Sequence, residues 1–292
     1  MSKVPYLHYP KDKDHLIHAY FWALVPLLFF GFYKNGILLY QNEFISFFDL
    51  FLPLYFYLIS GIVGLLVAVI FKGCKKETVL FSLILSCTIS INTNVILYPI
   101  VLFVAMVIAN FFRQKWNFHS LAFVRILLIL ALVVNSYSYL NIAEKLNAFN
   151  YDLFDVFLGY GVGALASTSI FCLIFAFFLL LLQRFYKKMI PIMASLSFCL
   201  FLLLFYFVTK DVYYLECLLQ GSVYFSFIFL GADLYVSPST KWGMMIYGMM
   251  IGVLTAFLAL FLPIYEVGFF AILLASFTIP FLRRLEAKKY LH

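Results

Sequence analysis

Gly231-Ala-Asp-Leu-Tyr-Val-Ser-Pro-Ser-Thr-Lys-Trp-Gly243 is the stretch that decides the fold of this chain. It joins a short apolar segment, 217–230, to a longer one, 244–262. At a rise of 1.5 Å per residue, the short segment falls well below the roughly 30 Å of hydrocarbon in a bilayer. A helix of that length ending in Gly, Asp, Ser and Pro is expected to stop inside the protein and turn. Backbone at that depth has to be shielded from lipid by protein or by a wet cavity. The first half holds a matching segment: 79–91 is equally short and ends in the polar, uncharged Ser90-Ile-Asn-Thr-Asn94. Short segments at corresponding places in two halves point to an inverted repeat with its working centre between them.

Composition agrees with a chain that lives in lipid. Of 292 residues, 65% are hydrophobic and 11% charged, with a mean hydropathy of +1.04. Soluble domains run at about 45–50% and about 25%. Apolar runs at 16–33, 49–71, 79–91, 95–112, 121–140, 163–182, 189–208, 217–230, 244–262 and 264–282 give about ten segments, five in each half. When the connections are assigned alternately to two sides, the side of the N-terminus collects all of the 20 Lys and Arg residues except Lys34, Lys145 and Lys210. That separation places both termini in the cytoplasm and explains the net charge of +7 without nucleic acid. The expected architecture is therefore an all-α polytopic membrane protein, built as two inverted five-helix repeats with short broken helices third and eighth. Its parts are a cytoplasmic tail 1–15, a first repeat 16–140, an outward-facing loop 141–162, a second repeat 163–282 and a cytoplasmic tail 283–292.

Several chemistries are absent from the pattern. Cys74, Cys87, Cys172, Cys199 and Cys217 have no C-x-x-C spacing, so they read as free thiols rather than a zinc site or a redox pair. His8, His15, His18, His119 and His292 share no metal-binding spacing, and no nucleophile–base pair is legible. Residues 34–48 read as an amphipathic connector after the first span. Gly61 and Gly64 read as a close helix contact. Arg125, one turn into the fifth span, reads as a side chain reaching back to the basic side.

Four stretches resemble the RnfD/NqrB family, the flavin-carrying membrane subunits of ion-pumping electron-transfer complexes. Pro5-Tyr-Leu-His8 with Ala23-Leu-Val-Pro26 and Gly31 is similar to the family's opening Pro-His-x-His stretch and first span. Asp152-Leu-Phe-Asp-Val-Phe-Leu-Gly159, continuing through Gly163 to Thr168 and Ser169, resembles its "DLFLG…GSLGETS". Asp233, Ser237, Pro238 and the run from Trp242 to Gly248 resemble "TDPVSAP…WIYG", and Tyr265-Glu-Val-Gly268 with Phe270-Ala-Ile-Leu-Leu274 resembles "YPEG…FAILLMN". The family attaches its flavin to a threonine in a "SGAT" motif. The matching place here reads Asn135-Ser-Tyr-Ser-Tyr-Leu140, without a threonine, where Ser136 or Ser138 could supply a hydroxyl.

The resemblance implies a subunit that passes electrons through FMN or riboflavin, with coupling to Na⁺ or H⁺; the missing threonine points to a flavin held without a covalent link. It implies companion membrane subunits and an extracytoplasmic FMN-binding protein as partners, in a cell membrane. Candidate flavin contacts are Ser138, Gly163, Thr168, Ser169, Asp233 and Ser237, with Tyr137, Tyr139 and Tyr160 as stacking rings. Asp233 would attract a cation or hold a flavin hydroxyl; equally it would cap a helix or pair with Lys241. Thr168 and Ser169 would present free N–H groups to a phosphate, or simply cap a helix. Ser237 and Pro238 read first as turn residues. Glu266 reads as an exposed carboxylate on the outer face. Two other functions fit the same scaffold: a small-solute channel or transporter like the urea and ammonium channels, and a membrane anchor for an extracytoplasmic flavoprotein.

Overall fold

The computed structural model describes residues 10–71, 75–115, 119–133, 153–161, 163–211, 213–233, 236–238 and 240–290. Every regular element among them is helical. The first half contributes α1 (Pro10–Phe32), α2 (Leu52–Ile70), α3 (Lys75–Ser86), α4 (Leu97–Lys115) and α5 (Ser120–Val133). A short α6 (Leu153–Leu158) precedes the second half. There follow α7 (Ile170–Leu181), α8 (Met189–Thr209), the pair α9 (Tyr213–Leu218) and α10 (Gly221–Phe225), then α11 (Lys241–Leu258), α12 (Ile264–Ser276) and α13 (Ile279–Tyr290). Among the described residues, five helical runs are long and apolar enough to cross a membrane, and a sixth forms if α12 and α13, bent by 47°, count as one. With these many apolar helices the chain is a multi-pass membrane protein.

The packing repeats between the halves. In the first half α2 packs on α3 and α4, and α4 on α5; in the second, α8 packs on α9 and α11, and α11 on α12. Between the halves, elements of equal rank meet: α1 lies on α7, and α5 on α12. This is the contact pattern of a duplicated five-helix unit, and it puts the third element of each half next to the seam.

The breaks fall where the sequence places them, with different lengths. Helix α3 stops at Ser86, and 87–94 continues as turns, buried except at Asn92 and Asn94. Thr88 and Thr93 return their hydroxyls to carbonyls three residues back, at 2.6 Å and 2.7 Å, which satisfies backbone that the helix no longer serves. The eighth segment is longer than 217–230: the run Tyr213–Gly231 has 19 residues, enough to span. It is nevertheless broken at Leu219 and Gln220, and it ends in a π-helical turn, Ser226–Gly231.

Other boundaries also move. The first span does not end before a connector, because α1 runs on through a π-helical turn, Tyr33–Ile37, to Gln41. The sixth span does not open at Gly163: 163–169 is non-helical, with bends at 165–167, and α7 starts only at Ile170. The C-terminal flank is helical to Tyr290. Of the glycine pair in α2, only Gly64 makes a close contact, with a Cβ there lying 2.9 Å from the Val79 Cα; Gly61 faces open space.

Candidate functional site

Two polar clusters flank the seam, one at each end of the broken eighth segment. The first gathers around Lys34, which is 1% exposed and sits in the π-helical turn that extends α1. Its ammonium donates to the Gly161 carbonyl at 2.5 Å and to the Thr168 hydroxyl at 3.2 Å. Thr168 in turn donates to the Gly159 carbonyl at 2.9 Å. Asn35, the next residue, donates from Nδ2 to the Leu165 carbonyl at 2.7 Å. A π-turn widens the helix and redirects side chains, which is why such turns recur at functional positions.

The non-helical segment 163–169 is the hub of this cluster. Its Leu165 and Ala166 N–H groups donate to the Ile89 and Cys87 carbonyls at 2.7 Å and 3.1 Å, tying it to the broken end of the third segment. Arg125 reaches the same break. It is fully buried, donates from Nη2 to the Thr88 carbonyl at 2.8 Å and lies over the Phe269 ring at 5.4 Å. Arg125 therefore does not reach back to the basic side; it braces the break from within. On the other flank, α10 begins at Gly221 in direct contact with the Ser167 and Thr168 backbone. Ser169 caps α7, accepting from the Cys172 N–H at 3.2 Å. Of the two readings of Ser169, capping is the one observed. Glu266 is half-buried in the first turn of α12, where a carboxylate complements the helix dipole, rather than exposed.

The second cluster forms where the π-turn Ser226–Gly231 ends. Widening of the helix leaves carbonyls for side chains to satisfy. The Tyr186 hydroxyl donates to the Ile228 carbonyl at 3.0 Å, and His119 Nε2 bonds the Leu230 carbonyl at 2.7 Å. His119 Nδ1 accepts from the Ala122 N–H at 3.3 Å, so the proton sits on Nε2 and the ring donates to Leu230. The same Nε2 lies 3.8 Å from Asp233 Oδ2. Tyr20 and Tyr247, both buried, lie within the field of that carboxylate. Lys241, the alternative partner considered for Asp233, is exposed at the start of α11.

Lys187, in the link between α7 and α8, closes this end. Its ammonium donates to the Asp233 carbonyl at 3.2 Å, the Ser237 carbonyl at 2.9 Å and the Ser237 hydroxyl at 2.8 Å. The Ser237 hydroxyl also bonds the Asp233 carbonyl. Burial lowers the Lys187 pKa to about 8; Asp233 and Glu286 pull it up and Arg283 pushes it further down, and the group stays mainly protonated at neutral pH. Arg283 donates to the Val236 carbonyl at 3.0 Å, and Glu286 accepts from the Thr240 N–H at 3.2 Å. Ser237 and Pro238 thus lie in a loop held by Lys187 from the α7–α8 link and by Arg283 and Glu286 from α13.

The candidate residues therefore divide. Gly163, Thr168 and Ser169 come together at the first cluster, and Asp233 and Ser237 at the second. The helical run between Gly221 and Asp233 separates the two by about 16–18 Å at 1.5 Å per residue. Ser138, Tyr137 and Tyr139 lie outside the described residues. Tyr160 stands against Phe30, ring centroids 5.9 Å apart. The hydroxyls of Thr168, Ser169 and Ser237 are all engaged in internal hydrogen bonds. These five residues therefore fall into two groups at different places in the fold. The sequence reading missed Lys34, Asn35, His119 and Lys187; their only signal was a polar side chain at the edge of an apolar run, which loop residues share. Among the described residues, no group of His, Cys, Asp or Glu is placed to hold a metal ion.

Fold and clusters together define a class: a polytopic helical membrane protein whose broken segments meet at a buried polar seam. The whole chain, residues 1–292, matches the model of the NQR2, RnfD, RnfE family, and the chain belongs to that family. It is therefore a membrane subunit of Rnf/Nqr-type complexes, working beside other subunits. No curated protein matches it.

Proposed function

We propose that this chain passes electrons within the membrane through FMN or riboflavin, as a subunit of an ion-coupled electron-transport complex. The observation that carries the reading is the family match over residues 1–292. The stretch that matches the family's flavin-attachment motif, Asn135 to Leu140, has no threonine and offers only Ser136 and Ser138 as aliphatic hydroxyls, which favours a non-covalent flavin. The flavin supplies the redox chemistry, and the protein supplies position and electrostatics. Na⁺ or H⁺ is the coupling ion, and both termini lie on the cytoplasmic side of the cell membrane, where the basic residues collect.

One observation favours a second reading. The nominated hydroxyls at both clusters are already engaged, as suits a chain that anchors an extracytoplasmic flavoprotein and carries no flavin of its own. Purification of the chain alone and of its complex separates the two. The first reading expects absorbance near roughly 450 nm in the chain alone, with free flavin released on denaturation. Flavin only in the complex supports the anchor. Absence of flavin from both, with solute flux in liposomes, would overturn both in favour of a channel.

A further inference from the structure

The Asp233 and Ser237 carbonyls and the Ser237 hydroxyl all turn toward one point, and the Lys187 ammonium occupies it at 2.8–3.2 Å. Oxygen atoms turned inward on a buried point repel one another unless a cation or hydrogen-bond donor sits between them. An ammonium is a compact charge with three donors, and among the described residues it meets the Asp233 and Ser237 carbonyls and the Ser237 hydroxyl. A second lysine holds oxygens in a similar way from within a helix: Lys34, in the π-turn that extends α1, also donates to a carbonyl and a hydroxyl.

We propose that the oxygen cluster at Asp233 and Ser237 is a built site for a hydrogen-bonding monovalent cation, filled by the chain's own Lys187 ammonium. Its ligand class is ammonium and the primary alkylammonium ions. Tethering the cation to the α7–α8 link fixes the loop that ends the eighth segment, and Asp233 with it. Sodium is a poor substitute, because it takes shorter contacts to oxygen than the 2.8–3.2 Å found here and supplies no proton to any of them. This inference stands apart from the flavin reading, and its test involves no electron transfer.

The test is chemical rescue in the full chain, read as the midpoint of thermal unfolding in detergent. Lys187→Ala opens the site and is expected to lower the midpoint by about 4–8 °C. Propylammonium chloride should restore at least half of the loss. Equal concentrations of tetramethylammonium chloride, which has no N–H, and of sodium chloride should not. Lys187→Met, whose side chain fills the vacated space, should stay low in all three salts. If Lys187→Ala does not accumulate, extraction and purification in propylammonium should recover it. The proposal is overturned by an unchanged midpoint in Lys187→Ala. It is equally overturned if propylammonium does no better than either control salt, or fails to recover a variant that does not accumulate.

Discussion

Gly221→Ala should sharply lower the unfolding midpoint and the yield of folded protein. A Cβ at this position would lie 2.2 Å from the Thr168 carbonyl oxygen and 2.7 Å from that of Ser167. Both obstacles are backbone, so no side-chain end can swing aside. The segment that carries them is held as well: Leu165 and Ala166 bond the Ile89 and Cys87 carbonyls, and Thr168 bonds Gly159 and Lys34. Overpacking against movable side chains costs about 1–3 kcal/mol, and a fixed backbone belongs at or beyond the top of that range. In a chain of this size about 3 kcal/mol corresponds to a midpoint lowered by about 6–12 °C. Gly61→Ala is the matched control, since nothing lies within 4 Å of a Cβ there. It should be neutral or gain up to about 1 kcal/mol from helix propensity. Thermal unfolding and size-exclusion yield of both variants decide the matter. If they behave alike, α10 does not cross the 163–169 segment as described.

Enlarging Gly248 and Gly252 together should separate α8 from α11. The two glycines lie four apart on one face of α11, a small-xxx-small pattern that lets two helices approach closely in lipid. A Cβ at Gly252 would lie 2.2 Å from the Ala194 carbonyl and 2.9 Å from the Phe198 nitrogen, and one at Gly248 would lie 2.6 Å from the Ile190 carbonyl. These obstacles form one stripe along α8. Gly248→Leu with Gly252→Leu should cost more than about 3 kcal/mol and abolish a monodisperse peak in detergent. Gly252→Ala alone should show a smaller loss in the same direction. A double variant that elutes and melts like the parent would contradict this packing.

Hydropathy and charge made the outline of the fold legible. They located the breaks after the third and eighth segments, because Ser90-Ile-Asn-Thr-Asn94 and the loop after Gly231 interrupt apolar runs with turn-forming residues. They could not assign the buried polar groups. Lys34 and a lysine in a solvated connector look the same in sequence; only the π-turn that continues α1 puts it inside. Its partners Gly161 and Thr168 lie 127 and 134 residues away, beyond any local pattern. Arg125 misled for a related reason: its place one turn into a span suits a side chain reaching for water, yet it bonds the Thr88 carbonyl instead. The glycine-rich 159–169 looked like the start of a helix, whereas its N–H groups satisfy the broken third segment and so keep it non-helical. For the candidate residues, sequence found where the chain breaks; which break each hydroxyl serves depended on packing between the halves.

With both termini in the cytoplasm, as proposed, the Lys34 cluster faces outward and the Lys187 cluster faces the cytosol. Single cysteines at exposed positions, placed in a chain whose native cysteines are replaced, test it with a membrane-impermeant maleimide on intact cells. Glu43→Cys and Lys210→Cys should label from outside, and Arg184→Cys and Lys241→Cys only after the membrane is opened. Labelling of Arg184→Cys from outside, or of Glu43→Cys and Lys210→Cys from opposite sides, would contradict it.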